Sequence, residues 1–115
     1  MLDTQLLKGT LPLLVLSLLS RADLYGYQLI KEMERLSDGV FQFGEGSLYP
    51  VLHSLERDGL LRPDWREADT GRKRKYYHLT TAGREELRRR EAEWRALADA
   101  VAAIIAPEDL EHPRA

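Results

Sequence analysis

The run Leu11-Pro12-Leu13-Leu14-Val15-Leu16-Ser17-Leu18-Leu19 sets the first limit on what this chain can fold into. Seven aliphatic residues in nine positions leave no polar face. A helix built from them must be covered all round, by the rest of the chain or by a second subunit. It does not read as a membrane span: Lys8 and Pro12 interrupt it, and even from Leu6 it falls short of the roughly 20 apolar residues a spanning helix needs. No basic stretch precedes it and no A-x-A-like cleavage site follows, so a signal peptide is not expected either, and a cytoplasmic protein is. Pro12 is tolerated only in a first turn, which predicts a helix starting near Thr10 with Leu6 and Leu7 as an extra turn before it.

A second helix is expected over residues 24–37, with Asp23 as its N-cap and Tyr27, Ile30, Met33 and Leu36 recurring at a three-residue step; Tyr27 is assigned to the core. A third is expected over 47–58. Ser47 is its N-cap, Pro50 lies in its first turn and Gly59 is its stop. Leu48, Val51, Leu52 and Leu55 form an inward stripe, leaving Tyr49, His53, Ser54, Glu56 and Arg57 outside. Two strands follow, 60–68 and 73–79, joined by the hairpin loop Asp69-Thr70-Gly71-Arg72. Pro63 cannot donate to a ladder and makes the first of them an edge. Tyr76 and Tyr77 point to opposite faces, so at most one is core, and Trp65 is expected to pack on the hairpin. Thr80-Thr81 opens a long last helix that Pro107 ends.

At 115 residues this is one domain. The expected fold is mainly α with a small β-hairpin: a winged helix-turn-helix DNA-binding domain over 1–79, a dimerisation helix over 80–106 and a polar tail over 107–115. In such a fold the third helix offers its outer face to the major groove and the hairpin tip reaches phosphates or the minor groove.

Charge supports that reading. Residues 1–61 carry a net −3 and 91–115 a net −4, yet 62–90 hold ten Lys/Arg against five Asp/Glu, net +5. A basic stripe inside an acidic chain is the local footprint a polyanion requires. Ordinary charge runs are solvated surface, but this one sits beside a hairpin glycine and adjoins Tyr76-Tyr77. DNA contact is assigned to Gly71, Arg72, Lys73 and Arg74, with less weight on Lys75, while Arg88-Arg89-Arg90 covers the outer face of the last helix.

In that helix Leu87, Trp94, Leu97, Val101 and Ile104 step by +7, +3, +4 and +3, a heptad-like seam interrupted at Arg90. The seam either folds back onto the first helix or meets a second copy; dimerisation is the favoured reading. Catalysis finds no footing. The chain has no Cys, His53, His78 and His112 are scattered, and neither a phosphate loop nor a dinucleotide fingerprint is present, so no enzyme, metal or cofactor is expected.

Leu7-Lys8-Gly9-Thr10-Leu11, Leu24-Tyr25-Gly26-Tyr27, Glu45-Gly46-Ser47-Leu48-Tyr49-Pro50 with Leu52-His53-Ser54-Leu55-Glu56, Asp58-Gly59-Leu60, and the stretch from Gly71 to Thr80 together resemble the PadR family, bacterial repressors named for control of phenolic-acid detoxification. The resemblance runs from Leu6 to about Ile105. It departs at Tyr25, where many members have His, a change that bears on a phosphate or packing contact and not on the fold. It implies a homodimer in which the last helix packs on the first helix and core of its mate, with Leu13 and Leu16 joining the seam. It also implies double-stranded DNA with a palindromic operator, its half-sites about 10 base pairs apart.

On the third helix Tyr49 is the first choice for a contact. Ser47 combines capping with a phosphate contact, Pro50 is foremost a helix-start device, and His53, Ser54 and Arg57 reach bases or backbone. Trp94 is read first as interface core. In the resembled subfamily an aromatic there lines a cavity for small planar apolar effectors, with Leu13, Leu16 and Ala98 as neighbours. The competing function is a winged-helix protein-interaction module without specific DNA binding; the retained helix-three face and the basic run speak against it.

Overall fold

The computed structural model describes residues 4–107. In order these form α1 (Thr4–Leu19), β1 (Leu24–Tyr25), α2 (Gly26–Leu36), α3 (Glu45–Arg57), β2 (Leu61–Glu67), β3 (Lys73–Leu79) and α4 (Thr81–Ile105). The fold is mainly α with a small antiparallel sheet, a winged helix. None of the described helices is long and apolar enough to cross a membrane. The polar tail, beyond Pro107, and His112 lie outside the described residues.

α1 runs through the middle. Leu11, Val15, Leu16, Leu18 and Leu19 are buried in one core with Leu29, Met33, Leu48, Leu52, Leu55, Leu61, Tyr77, Leu79 and Leu87. The helix starts at Thr4, so Pro12 lies inside it and not in its first turn. Lys8, whose carbonyl loses its donor to that proline, is exposed and can turn the carbonyl to water.

α2 begins at Gly26, and its N-cap is Tyr25 rather than Asp23. The Tyr25 N–H donates to Gln28 Oε1 at 3.2 Å. Its inward residues are Gly26, Leu29 and Met33, while Tyr27 is 56% exposed and Leu36 is exposed too. A three-residue step falls about 60° short of a full turn each time. Four such positions therefore spread around half the helix and cannot all face in.

Ser47 does not cap α3. Gly44 does, and the Ser47 and Leu48 N–H groups donate back to its carbonyl at 3.2 and 3.1 Å. Pro50 is again interior, and the residue four back, Gly46, is exposed. Leu48, Leu52 and Leu55 are buried as expected, and Gly59, at φ +76°, ends the helix.

The sheet has three strands in the order β1-β3-β2, all antiparallel. β2 is an edge and carries Pro63 opposite Tyr77. The hairpin closes through Ala68 N–H to the Arg72 carbonyl and Gly71 N–H to the Ala68 carbonyl, both 2.8 Å, with Gly71 at φ +81°. Tyr77 is buried while Tyr76 lies on the other face; Trp65 is exposed, not packed on the hairpin.

Thr80 caps α4, its Oγ1 accepting from Gly83 N–H at 3.0 Å. The same hydroxyl lies 2.8 and 3.0 Å from the carbonyl oxygens of Gly59 and Leu60. Gly83 sits so tightly on Leu60 that a Cβ there would lie 2.2 Å from the Leu60 oxygen.

Candidate nucleic-acid interface

The outer face of α3 presents Pro50, His53 and Arg57 exposed, with Ser47 and Ser54 half-buried. The Arg57 Nη2 donates to Ser54 Oγ at 3.3 Å. Tyr49 is half-buried, its ring 6.3 Å from that of His53. It leans over the start of α2, where a methyl group on Gly26 would come within 2.6 Å of its hydroxyl. Glycine at 26 thus lets α3 approach the α2 terminus through Tyr49.

Tyr49 also walls a concavity of about 430 Å³ shared with Tyr25, Tyr27 and Glu45 on one side and Arg72, Lys73, Arg74 and Lys75 of the wing on the other. Three segments remote in sequence thus converge beside the α3 face. The four cations differ. Arg72 and Lys73 are exposed and, among the described residues, in no ion pair. Arg74 lies with its guanidinium 4.7 Å from the Tyr25 ring centre. Lys75 Nζ is 3.0 Å from Glu56 Oε1. Burial pulls the Lys75 ammonium down, but Glu56 and the neighbouring Tyr77 together outweigh it and hold its pKa above the ordinary value. Its charge is spent inside the fold.

Asp23, expected as a cap, instead ties the strands together. Its carboxylate receives Arg66 Nη2 at 2.5 Å and lies 2.9 Å from His78 Nδ1. Burial raises the Asp23 pKa, yet the bonds from His78 and Arg66 prevail and keep it below the carboxylate norm. A loop Asp before a two-residue strand gives no sequence signal for this role. Among the described residues no group of three His, Asp or Glu could hold a metal.

At the other end of the molecule, Leu16 is 0% exposed and Leu87 7%, both within their own chain's core. Neither retains appreciable surface for a partner, which corrects their assignment to the dimer seam. Trp94, Leu97, Val101 and Ile104 are exposed. Leu13, Trp94 and Leu97 meet in a groove of about 200 Å³ between α1 and α4, also walled by Gly9, Thr10, Arg90 and Glu93; Ala98 is not one of its walls. Arg90, the break in the seam, donates to Glu86 at 3.0 Å. Arg89 bridges Glu86 and Glu93, each at 2.7 Å. Hydrogen bonds from Arg89 and Arg90 hold the Glu86 carboxyl at a pKa of about 2.

Residues 15–89 match the Transcriptional regulator PadR-like family. A transcriptional regulator of Mycobacterium tuberculosis is 42% identical over 65 residues, 56% of this chain and 57% of that protein, so the chain spans just over half of that relative's length. Among solved structures, a PadR family transcriptional regulator from Eggerthella lenta is 38% identical, covering 90% of this chain and 88% of its own, with a TM-score of 0.76. A PadR-like transcriptional regulator from Bacillus cereus is 30% identical, covering 91% and 100%, with a TM-score of 0.80.

Proposed function

This chain belongs to the PadR-like family of transcriptional regulators, which implies DNA binding, and from that premise we infer that it is a homodimeric, effector-responsive repressor of a palindromic operator. The observation that carries the reading is the pair of exposed wing cations, Arg72 and Lys73, in no ion pair among the described residues and beside the exposed α3 face. Lys73, Arg72 and Arg74, with the Gly71 turn that presents them, supply the phosphate contacts. Ser47 adds a phosphate contact, and Tyr49, Pro50, His53, Ser54 and Arg57 face the groove, reaching bases or backbone. The exposed stripe Trp94, Leu97, Val101 and Ile104 meets its copy in a second chain, with Leu13 at its margin. A two-fold axis then places two α3 helices on half-sites about one helical turn apart. The groove of Leu13 and Trp94, with Ala98 nearby, takes a flat apolar effector, which acts only by binding the DNA-bound and free states unequally.

The test is a fluorescence-anisotropy titration against the DNA upstream of the gene encoding this protein, at several salt concentrations, with scrambled DNA as control. Tight, sequence-preferring, salt-sensitive binding by two chains per site is expected. Weak binding, equal for both DNAs and for duplexes drawn from a random pool, would replace the reading with a winged helix that binds protein partners.

A further inference from the structure

The outer face of the sheet sets two arginines against each other. In the β2–β3 register Arg66 lies opposite Arg74, and in the β1–β3 register Tyr25 lies opposite Tyr76. Like charges directly opposite on antiparallel strands repel. Here the two tyrosine rings intervene. The Arg66 guanidinium lies 4.5 Å from the Tyr76 ring centre and that of Arg74 lies 4.7 Å from the Tyr25 ring centre. The two rings meet edge to face at 5.2 Å and 75°. Asp23, Arg66, Tyr76, Tyr25 and Arg74 thus follow one another across the face.

The two arginines share an aromatic seat but not a counter-charge. Arg66 is held by Asp23 and Asp64, at 2.5 and 2.9 Å, and is neutralised. Arg74 makes no ion pair among the described residues and lines the concavity between the wing and the start of α2. A π face orients a guanidinium without cancelling its charge, and it narrows the rotamers that must be given up on binding. A carboxylate in the same place would orient the group and also silence it. Tyr25 occupies the position from which it can do this because it is at once the end of β1 and the N-cap of α2.

We propose that Tyr25 is a positioning residue for DNA binding: its ring holds the Arg74 guanidinium, still charged, toward a phosphate of the duplex in the concavity beside Tyr49. The proposal rests on the DNA-binding reading above. It requires the ring of Tyr25 and not its hydroxyl.

The experiment measures the salt dependence of binding to a mixed-sequence duplex for the full chain and for Arg72→Ala, Arg74→Ala, Tyr25→Phe, Tyr25→Leu and the double variant Tyr25→Leu/Arg74→Ala. Arg74→Ala is expected to reduce the salt slope by about one. Tyr25→Phe binds as the parent does. Tyr25→Leu binds about threefold more weakly, and Arg74→Ala costs less in its background than alone. In the DNA-free protein, the Arg74 side-chain protons show an upfield ring-current shift by NMR that Tyr25→Phe retains and Tyr25→Leu loses. Additive losses, equal behaviour of Phe and Leu, or no ring-current shift would overturn the proposal even with Arg72→Ala weakening binding. A parent protein whose binding ignores salt and Arg72→Ala would overturn both the proposal and the reading beneath it, and is recognised by those two controls.

Discussion

In α1 the side chains of Leu11, Val15, Leu16, Leu18 and Leu19 are sealed inside the chain's own core, whereas Trp94, Leu97, Val101 and Ile104 of α4, no less apolar, face outward. Both stretches announce themselves in the sequence by apolar spacing. The spacing says that a face must be covered; it does not say by whom. The difference is one of reach. α4 has 25 residues, about 37 Å of helix, and only its first turns, through Gly83 and Leu87, lie against the body. Past Leu87, α4 meets the margin of α1 around Leu13, and Val101 and Ile104 stand exposed beyond that contact.

The comparison breaks most sharply at the junction of the two regions. Gly83→Ala would push a methyl group into the backbone oxygen of Leu60, which cannot swing aside. A loss of about 3 kcal/mol or more is expected by urea unfolding. Gly26→Ala meets only the tip of the Tyr49 side chain and should cost less. Leu16→Ala leaves a cavity in the sealed half, worth about 3 kcal/mol in the same measurement. Trp94→Ala tests the open half. It should leave far-ultraviolet circular dichroism intact while weakening self-association about thirtyfold by sedimentation equilibrium. An unchanged association constant would place the dimer contact elsewhere.

The smallest effect lies in the ion cluster on α4. The Glu86 carboxyl, at a pKa of about 2 against an ordinary 4.5, contributes stability that is complete above pH 4.5 and drains away as pH falls toward 2. Its partners are solvent-facing, so Glu86→Gln should cost only about 0.5 kcal/mol at neutral pH and nothing below pH 2, read from thermal unfolding across that range.

Much of the wing and of α3 was legible beforehand, because each device there acts locally. Gly59 and Gly71 adopt the positive φ their positions ask for, Pro63 falls on an edge strand and Thr80 caps α4. The misreadings share a different cause. β1 is two residues long, too short to show an alternation, and only its pairing with β3 makes it a strand. Without β1, Asp23 looked like a cap, when the sheet instead brings it to Arg66 and His78. Ser47 is a good cap by type, but Gly44 takes the position three residues earlier. Periodicity puts Leu87 on a seam and the resemblance adds Leu16, but neither separates a core shared within one chain from one shared between two. Of the candidate contacts, the convergence of Tyr49 with Arg72 to Lys75 was out of reach, since it depends on how closely Gly26 lets α3 approach.

The joint at the base of α4 has a mechanical meaning. The Thr80 hydroxyl and the bare Cα of Gly83 both rest on Leu60, the second residue after Asp58 closes α3, and the Thr80 N–H also donates to the Leu60 carbonyl at 3.1 Å. No slack separates the root of α4 from the end of α3, so tilting one tilts the other. In the proposed pair of chains joined along α4, the distance between the two α3 helices becomes the setting of a caliper that pivots where the α4 helices meet, each arm kept stiff by this joint. A wedge between the α4 helices would then be registered at the DNA as a wrong spacing, with every contact residue on each α3 still in its place.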